Sequence, residues 1–363
     1  MISGAAQADV AVLVVSARNG EFEDGFIKGG QTKEHTMLVR TMGVTHIVVA
    51  INKMDDKTVE WSEKRFNSLV GELSEFLKRA GFKKEQTSFV PLSALSGANL
   101  KDRVDTNTCP WYKGKSLLET LDDVSESREN DSTAPVRFPV LDKYRDAGKV
   151  FVIGKLAGGT IKLGDTLIVV PGDREGTVTS IESEFGSHKE AKAGDNVTLS
   201  LKGIDEAYIN SGSVLCIKGQ RVCPVVSRFQ AQVNKKKKIF KNPPSFFIFF
   251  FFELQILISN LPDARPIMTS GYKCVLHVHF VTVEVTIEKI VSVLDKKTGK
   301  PKKGQAFAKK GAAVTVNITT EHPIAVERFS DFNPLSRVLL RDEDMTIAVG
   351  KIMALPKEGK DAK

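Results

Sequence analysis

Cysteine and tryptophan are scarce in this chain, and their scarcity narrows the class of protein. The 363 residues include four cysteines and two tryptophans, and no cysteines form a C-x-x-C pair. A zinc ribbon needs such pairs, and a disulfide scaffold needs a much higher cysteine density, so both classes are excluded. Widely spaced, reduced cysteines favour a cytoplasmic location.

Long apolar runs and a secretory signal are also missing. The longest apolar stretch, residues 246–258, is interrupted by Glu253 and Gln255. A helix that spans a bilayer needs about 20 apolar residues, so we expect no membrane partner. The amino-terminal text MISGAAQADV has neither the basic region nor the apolar region of a signal peptide.

The charge balance is slightly basic. The chain has 52 Lys and Arg against 44 Asp and Glu, which gives a formal net charge of +8. Hydrophobic residues make up 41% and charged residues 26%, a composition typical of a globular protein with two or three domains. The basic excess permits a nucleic-acid partner without requiring one.

Residues 9–95 alternate apolar runs with helical patterns, which predicts an α/β sheet. Three runs predict parallel strands, the first of them buried on both faces: 9–17, 46–52 and 88–94. Between the second and third runs, helical spacing of apolar residues predicts a helix capped by Thr58 and ended by Gly81. A shorter helix over 32–42 joins the first two strands.

Beyond residue 133 the pattern changes to all-β. The acidic, Ser-rich stretch 122–133 is predicted to be a linker. Short runs of Val, Ile, Leu and Thr, separated by Gly, Asp and Lys, then form two blocks at 133–220 and 225–357. This spacing predicts two β-barrels, so the fold class is α/β plus all-β.

Residues 234–252 fit neither of the neighbouring patterns. Four consecutive lysines and a Pro-Pro pair precede a run in which six of seven residues are Phe. A surface insertion loop is one interpretation, but such a run on a loop would be an aggregation hazard. We therefore favour a foreign insertion, such as translated intron, because its removal joins 228–233 to 253–258 in one alternating strand.

The end of the second strand carries an N-K-x-D pattern. In this pattern the Asp55 carboxylate can accept hydrogen bonds from guanine N1–H and N2–H₂, which adenine cannot supply. The Asn52 amide can serve the O6/N7 edge of the base, and the Lys53 stem can lie over its plane. The pattern alone is modest evidence, because it also fits a plain strand-to-loop turn.

The end of the third strand strengthens the guanine interpretation. Ser93, Ala94 and Leu95 match an S-A-[KL] element, whose backbone N–H contacts guanine O6. Because the carboxyl ends of parallel strands share one edge of the sheet, both motifs are expected in one ligand crevice. Together they predict a guanine-binding site.

The phosphate-binding half of such a site is missing from the sequence. A P-loop needs G-x-x-x-x-G-K-[ST], and no segment matches it. A D-x-x-G element occurs only at 173–176, inside the predicted β region. We therefore predict neither catalytic nor metal-ligating residues in this chain, and no GTP hydrolysis by the chain alone.

Several longer segments resemble one family. Residues 1–35, with GEFEDG and GGQTKEH, resemble the translational GTPases of the elongation-factor-Tu class. Further segments resemble the family of GTP-binding subunits of the eukaryotic peptide-chain release factor: NKMDD at 52–56, LSGANLK at 95–101, CPWYKG at 109–114, PVRFPVLDKYRDAGKV at 135–150 and YKCVLHVH at 272–279.

The resemblance implies an architecture, a ligand and partners. It implies the carboxyl-terminal half of a Ras-like G domain at 1–130, followed by barrels at 133–220 and 225–357. The implied cofactor is GTP or GDP, with Mg²⁺ in the full-length family. The implied partners are the class-one release factor and ribosomal RNA of the ribosome, with no DNA or membrane. The implied guanine-binding residues are Asn52, Lys53, Asp55, Ser93, Ala94 and Leu95.

Other functions stay open at the level of the sequence. The Hbs-type ribosome-rescue GTPase and the elongation factor that delivers aminoacyl-tRNA share parts of the matching text. A non-enzymatic pair of barrels that docks a tRNA-shaped factor is a further alternative.

Two other clusters have competing interpretations. His277 and His279 share one face of a predicted strand, but no Cys or carboxylate stands nearby in sequence, so a structural or partner-contact role is favoured over a metal site. Residues 296–310 contain seven lysines. They either contact RNA phosphates or form a solvated hairpin tip.

Overall fold

The computed structural model describes residues 8–28, 31–41, 43–126, 133–226, 252–294, 300–343 and 345–355. The chain divides into two compact units, Met1–Glu129 and Asn130–Lys363. Among the described residues, no helix is long and apolar enough to cross a bilayer.

The first unit is built on a three-stranded parallel sheet. Its strands, in both chain and spatial order, are β1 (Val10–Ser16), β2 (His46–Asn52) and β3 (Thr87–Pro91). Three helices accompany them: α1 (Gln31–Thr41), α2 (Glu63–Arg79) and α3 (Leu117–Glu126). Shorter helical turns cover Glu21–Glu23, Asp24–Lys28 and Lys84–Gln86. Central β2 is almost entirely buried, as its apolar run predicts.

Strand β1 differs from the prediction that both of its faces are buried. Ala11 and Leu13 pack against the core of this unit, but Val12 and Val14 on the opposite face are 40% and 61% exposed. Among the described strands, β1 pairs only with β2 and so lies at the edge of the sheet. An apolar run alone does not show whether another element covers each face of the strand.

Helix α2 follows its predicted spacing but begins later than predicted. The apolar side chains that face the core are Phe66, Leu69, Leu73 and Leu77. The cap is Ser62, whose Oγ accepts a hydrogen bond from the Arg65 N–H at 3.3 Å. Thr58 instead closes a turn onto Asp56, so the predicted cap was wrong by four residues. Gly81 follows the helix with a positive φ of 94°.

The second unit contains two closed barrels. In the first barrel, a sheet of six strands is closed by the pairing of the eighth strand of the chain with the eleventh. The ninth strand extends this sheet. Its strands, with the short pair β6 and β10, are β4 (Phe138–Asp146), β5 (Lys149–Lys155), β6 (Thr160–Lys162), β7 (Thr166–Val170), β8 (Arg174–Ser183), β9 (Gly186–His188), β10 (Glu190–Lys192), β11 (Asn196–Lys202) and β12 (Val214–Ile217).

The second barrel also closes with six strands. Two short antiparallel pairs accompany it, one between Val225–Val226 and Ile324–Ala325 and the other between Ile267–Thr269 and Phe307–Lys309. The strands are β13 (Val225–Val226), β14 (Phe252–Ile258), β15 (Ile267–Thr269), β16 (Lys273–Val278), β17 (Val281–Leu294), β18 (Pro301–Lys303), β19 (Phe307–Lys309), β20 (Ala313–Thr320), β21 (Ile324–Ala325), β22 (Arg337–Asp342) and β23 (Met345–Ala354).

Strand β14 meets the end of the segment predicted to be foreign. Phe252, the last residue of that segment, lies in β14, pairs with Ile318 and is 1% exposed. Residues 234–251 lie outside the described residues, so the insertion hypothesis stays a prediction. Inward and outward side chains alternate along β14, as the predicted strand over 253–258 requires.

A buried salt bridge joins the two barrels within the second unit. Arg137, 0% exposed, donates from Nε and Nη2 to Glu327 Oε1 at 2.9 and 2.6 Å. Its Nη1 donates to the carbonyl oxygens of Val136 and Arg221, each at 2.9 Å. Glu327 Oε2 accepts from Arg221 Nη2 at 3.0 Å. Apolar side chains from both barrels surround this pair, among them Val214, Cys216, Ala325, Phe332 and Leu335.

Candidate nucleotide-binding site

The two predicted guanine motifs come together at one edge of the first sheet. Strands β2 and β3 are parallel neighbours, and Ile51 near the end of β2 is in register with Pro91 at the end of β3. The N-K-x-D loop begins at the end of β2, and the S-A-L loop begins two residues after β3. Parallel strands place both loops at the same carboxyl edge, where sheets of this kind bind ligands.

Asn52 connects the two loops through one oxygen atom. Its Oδ1 accepts hydrogen bonds from the backbone N–H of Lys53 at 2.7 Å and of Ala94 at 2.9 Å. The Ala94 N–H is therefore engaged within the protein. Among the described residues, the neighbouring Leu95 N–H has no hydrogen-bond partner, and Leu95 is 95% exposed. Leu95 thus offers the free amide of the S-A-L loop.

Ser93 shapes the second loop from inside the protein. It is fully buried, its N–H donates to the Ala98 carbonyl at 3.1 Å, and its Oγ accepts from the Ser96 N–H at 3.3 Å. Asn99 ties the same loop to β3, because its Nδ2 donates to the Pro91 carbonyl at 2.7 Å. Ser93 therefore positions the loop.

Lys53 stands at a turn with a positive φ of 62°. Its Nζ donates to Glu21 Oε2 at 2.6 Å, and Ser16 Oγ donates to the same oxygen at 2.8 Å. The hydrogen bond from Lys53 is the main cause that lowers the pKa of Glu21, so this carboxylate stays ionised at neutral pH. Both partners are partly exposed, and exposed ion pairs are weak enough for a ligand to displace.

Glu21 is a site residue that the motifs did not indicate. It lies between the first two strands, 32 residues before Lys53. The GEFE text in which it stands was part of the family resemblance, but its contact with Lys53 emerged only in the structure.

Asp55 lies between two residues, Met54 and Asp56, that are held by hydrogen bonds within the protein. Met54 is fully buried, and its backbone N–H donates to the Leu92 carbonyl at 3.2 Å. Asp56 accepts from the Thr58 N–H and hydroxyl, and these bonds, the hydroxyl first, lower its pKa. Asp55 itself is exposed, and no described residue pairs with its carboxylate. Its acceptor oxygens are therefore available to a ligand.

The free groups of these loops are complementary to guanine. A carboxylate accepts from N1–H and N2–H₂, an amide N–H donates to O6, and an aliphatic lysine stem covers a ring face. Asp55, Leu95 and Lys53 supply these three groups. Adenine has no N1–H and carries an amino group in place of O6, so the same set discriminates against it.

The described residues provide no comparable set for a metal ion. No group of three or more His, Cys, Asp or Glu side chains lies close enough together within them to hold one. Burial lowers the pKa of both His277 and His279 to about 4, so both rings are neutral at pH 7. His277 Nδ1 lies 3.1 Å from the Thr282 hydroxyl, and His279 Nε2 lies 3.0 Å from the Ala325 carbonyl oxygen. Each of these contacts engages one ring nitrogen within the protein, while His279 Nδ1 is buried without a hydrogen-bond partner among the described residues.

Three family models cover most of the chain in the order of its fold. Residues 1–127 match the elongation factor Tu GTP binding domain. Residues 150–216 match elongation factor Tu domain 2, and residues 251–353 match the GTP-eEF1A C-terminal domain-like model. A parallel sheet followed along the chain by two closed barrels, with these matches, defines a protein of the elongation factor Tu class.

Comparison with individual proteins narrows the class. The Schizosaccharomyces pombe eukaryotic peptide chain release factor GTP-binding subunit is 40% identical over 358 residues, which cover 98% of this chain and 50% of that protein. The Kluyveromyces lactis protein of the same name is 39% identical over 358 residues, covering 98% of this chain and 47% of the relative. The crystal structure of sup35 complexed with GMPPNP is 38% identical, with a TM-score of 0.53, and the match covers 98% of this chain and 80% of that chain.

The chain belongs to the family of eukaryotic peptide chain release factor GTP-binding subunits. It spans about half the length of the curated relatives it matches.

Proposed function

We propose that this chain supplies guanine recognition and partner binding for a translation-termination GTPase. The observation that carries the proposal is the free carboxylate of Asp55, exposed on a loop that Asn52 ties to the free Leu95 amide. The names of the relatives support a role in termination, and the GTP-binding family model over 1–127 supports GTP or GDP as the ligand.

In this proposal each residue of the site has its own task. Asp55 accepts from N1–H and N2–H₂ of the base, and the Leu95 N–H donates to O6. Lys53 covers one face of the base with its stem. Asn52 Oδ1, Ser93 Oγ and the Ala94 N–H hold the loops in place, since they are engaged within the protein.

This sequence contains no motif of the kind that binds the phosphates and Mg²⁺ in GTPases. The chain has no P-loop, and its one D-x-x-G lies at 173–176, where β7 is joined to β8. We therefore derive no hydrolytic step from these residues, although Mg²⁺ and phosphate contacts do most of the chemistry in GTPases.

The purified chain is expected not to hydrolyse GTP. The physical reason is the lack of donors that would stabilise charge on the transferred phosphoryl group. Phosphate release in the presence of Mg²⁺ should equal that of a protein-free sample, with an active GTPase as the positive control. Turnover above background that disappears in an Asp55→Ala variant would contradict the proposal.

The barrels are proposed to bind the class-one release factor and to act with it on the ribosome in the cytoplasm. Support comes from the release-factor name of the relatives and from the buried Arg137–Glu327 pair, which fixes the two barrels as one surface. A rigid surface binds a partner with a smaller entropic cost.

Residues 133–363 alone are therefore expected to retain a purified class-one release factor in a pull-down, as the full chain does. Residues 1–130 serve as the matched negative control. Retention by 1–130 only would overturn the assignment of the binding surface. If the full chain retained an aminoacyl-tRNA but not the release factor, the proposed function would change from translation termination to delivery of aminoacyl-tRNA.

A further inference from the structure

A segment of the second barrel concentrates positive charge around an exposed aromatic ring. Residues 300–311 contain five lysines and no acidic residue. All five are exposed, and they are Lys300, Lys302, Lys303, Lys309 and Lys310. Phe307 lies between them and is 45% exposed. We name β15, β18 and β19 with their connecting residues 304–306 and 310–311 the basic ribbon.

The register of β15 and β19 separates an inner face from an outer one. Met268 and Ala308 are paired, and they are 0% and 3% exposed. Successive side chains of a strand alternate between faces, so Ile267, Phe307 and Lys309 share the outer face. Lys309 Nζ lies 5.8 Å from the centre of the Phe307 ring. The outer face therefore combines a cation with a ring that the barrel leaves uncovered.

The hairpin of β17 and β18 extends the charge. Lys302 and Lys303 pair with Val293 and Ser292, so these two lysines lie on opposite faces of the hairpin. Lys310 follows the end of β19. Positive charge on both faces of this hairpin and beyond the end of β19 suits a flexible chain of repeated negative charges better than a single carboxylate.

The basic ribbon is anchored to the barrel core. Gly311 N–H donates to the Ile258 carbonyl at 2.7 Å, and Ile258 N–H donates to the Ala312 carbonyl at 2.9 Å. Arg265, just before β15, donates from Nη2 to Asp342 Oδ1 at 2.8 Å. The charges and the ring are thus presented on a fixed backbone.

We propose that the basic ribbon binds single-stranded RNA. Lys303, Lys309 and Lys310 contact phosphates, and Phe307 stacks on an unpaired base. Every base has a π-face, so an exposed ring beside cations suits RNA of any sequence. A run of acidic residues offers the charge, but RNA also offers a ring at every repeat. This surface lies in a different unit from the guanine site, and its RNA binding does not depend on the proposed termination function.

The test measures binding of a short fluorescein-labelled single-stranded RNA to the full chain by fluorescence anisotropy across a salt titration. Replacing Lys303, Lys309 and Lys310 together with Gln should reduce the slope of log affinity against log salt by about 2, since each phosphate contact contributes roughly 0.7. The matched control replaces Lys64, Lys78 and Lys84 with Gln. These exposed lysines of the first unit carry the same total charge, and their removal should leave the slope nearly unchanged.

The aromatic ring gives a second, independent signature. Phe307→Ala should weaken binding roughly 5- to 100-fold with an unchanged salt slope, because stacking releases no counterions. Phe307→Tyr should restore the affinity. If the two triple variants changed the salt slope equally, RNA binding would depend only on the overall charge of the protein, and the proposal would be overturned. Displacement of the RNA by polyglutamate at equal charge concentration would assign the surface to an acidic peptide instead.

Discussion

Replacing Glu327 with alanine is expected to lower the free energy of unfolding of the barrel unit by about 3–5 kcal/mol, because Arg137 would remain buried and charged without its partner. Both side chains are at most 1% exposed, and a guanidinium does not lose its proton to relieve the burial. The transition should be followed by the circular dichroism of the β-sheets during denaturation with urea.

Tryptophan fluorescence provides an internal control for this measurement. Both tryptophans, Trp61 and Trp111, lie in the first unit, so the fluorescence transition should not move. A double variant, Arg137→Met with Glu327→Leu, removes both charges and keeps apolar volume. It should recover most of the lost stability, as well-packed apolar replacements of buried pairs often do. A double variant as unstable as Glu327→Ala would show that the loss comes from packing.

The second large effect is expected for Asp55→Asn. In a version of the protein extended to carry the P-loop that the family resemblance implies, affinity for GDP should fall by on the order of 2–4 kcal/mol, or about 30- to 1000-fold. The amide replaces one acceptor oxygen with a donor that faces N1–H or N2–H₂. Titration with a fluorescent GDP analogue measures the change.

Xanthosine diphosphate distinguishes lost recognition from lost folding. Xanthine carries an oxygen where guanine carries N2–H₂, so the side-chain amide of the Asp55→Asn variant can donate to it. The variant should therefore bind xanthosine diphosphate more tightly than the unchanged protein does. Equal GDP affinity in both proteins would show that Asp55 does not contact the base.

Much of the first sheet could be predicted from local pattern. The run at 46–52 coincides with β2, whose interior position explains the apolar residues along the middle of the run. Val12 and Val14 were misjudged because burial of a strand face depends on what packs over it, which a single run does not encode. The cap of α2 was wrongly predicted at Thr58. The Thr58 hydroxyl instead donates a hydrogen bond to Asp56, in a turn that precedes the helix.

The sequence motifs indicated the residues of the candidate site, but not which of their polar groups bind within the protein and which stay free. Asn52 was expected to serve the O6/N7 edge of the base, and this stays a prediction for its Nδ2; the structure adds that its Oδ1 accepts from two backbone amides. Whether a polar side chain serves the protein or a ligand depends on the loop opposite it, which lies 42 residues away in the sequence. Phe307 was overlooked within its lysine-rich segment, because its exposure depends on the alternation fixed by β15.

Arg137 and Glu327 are separated by 190 residues in the sequence, and this distance has a consequence for biosynthesis. At roughly 5–20 residues per second, Glu327 is synthesised about 10–40 s after Arg137. During that interval Arg137 lacks its carboxylate partner, so water satisfies its Nε and Nη2 donors, while Nη1 can already donate to the carbonyls of Val136 and Arg221. Water therefore leaves the interface between the barrels only after the second barrel has been synthesised. Until then, the nascent first barrel exposes a hydrated, cationic surface.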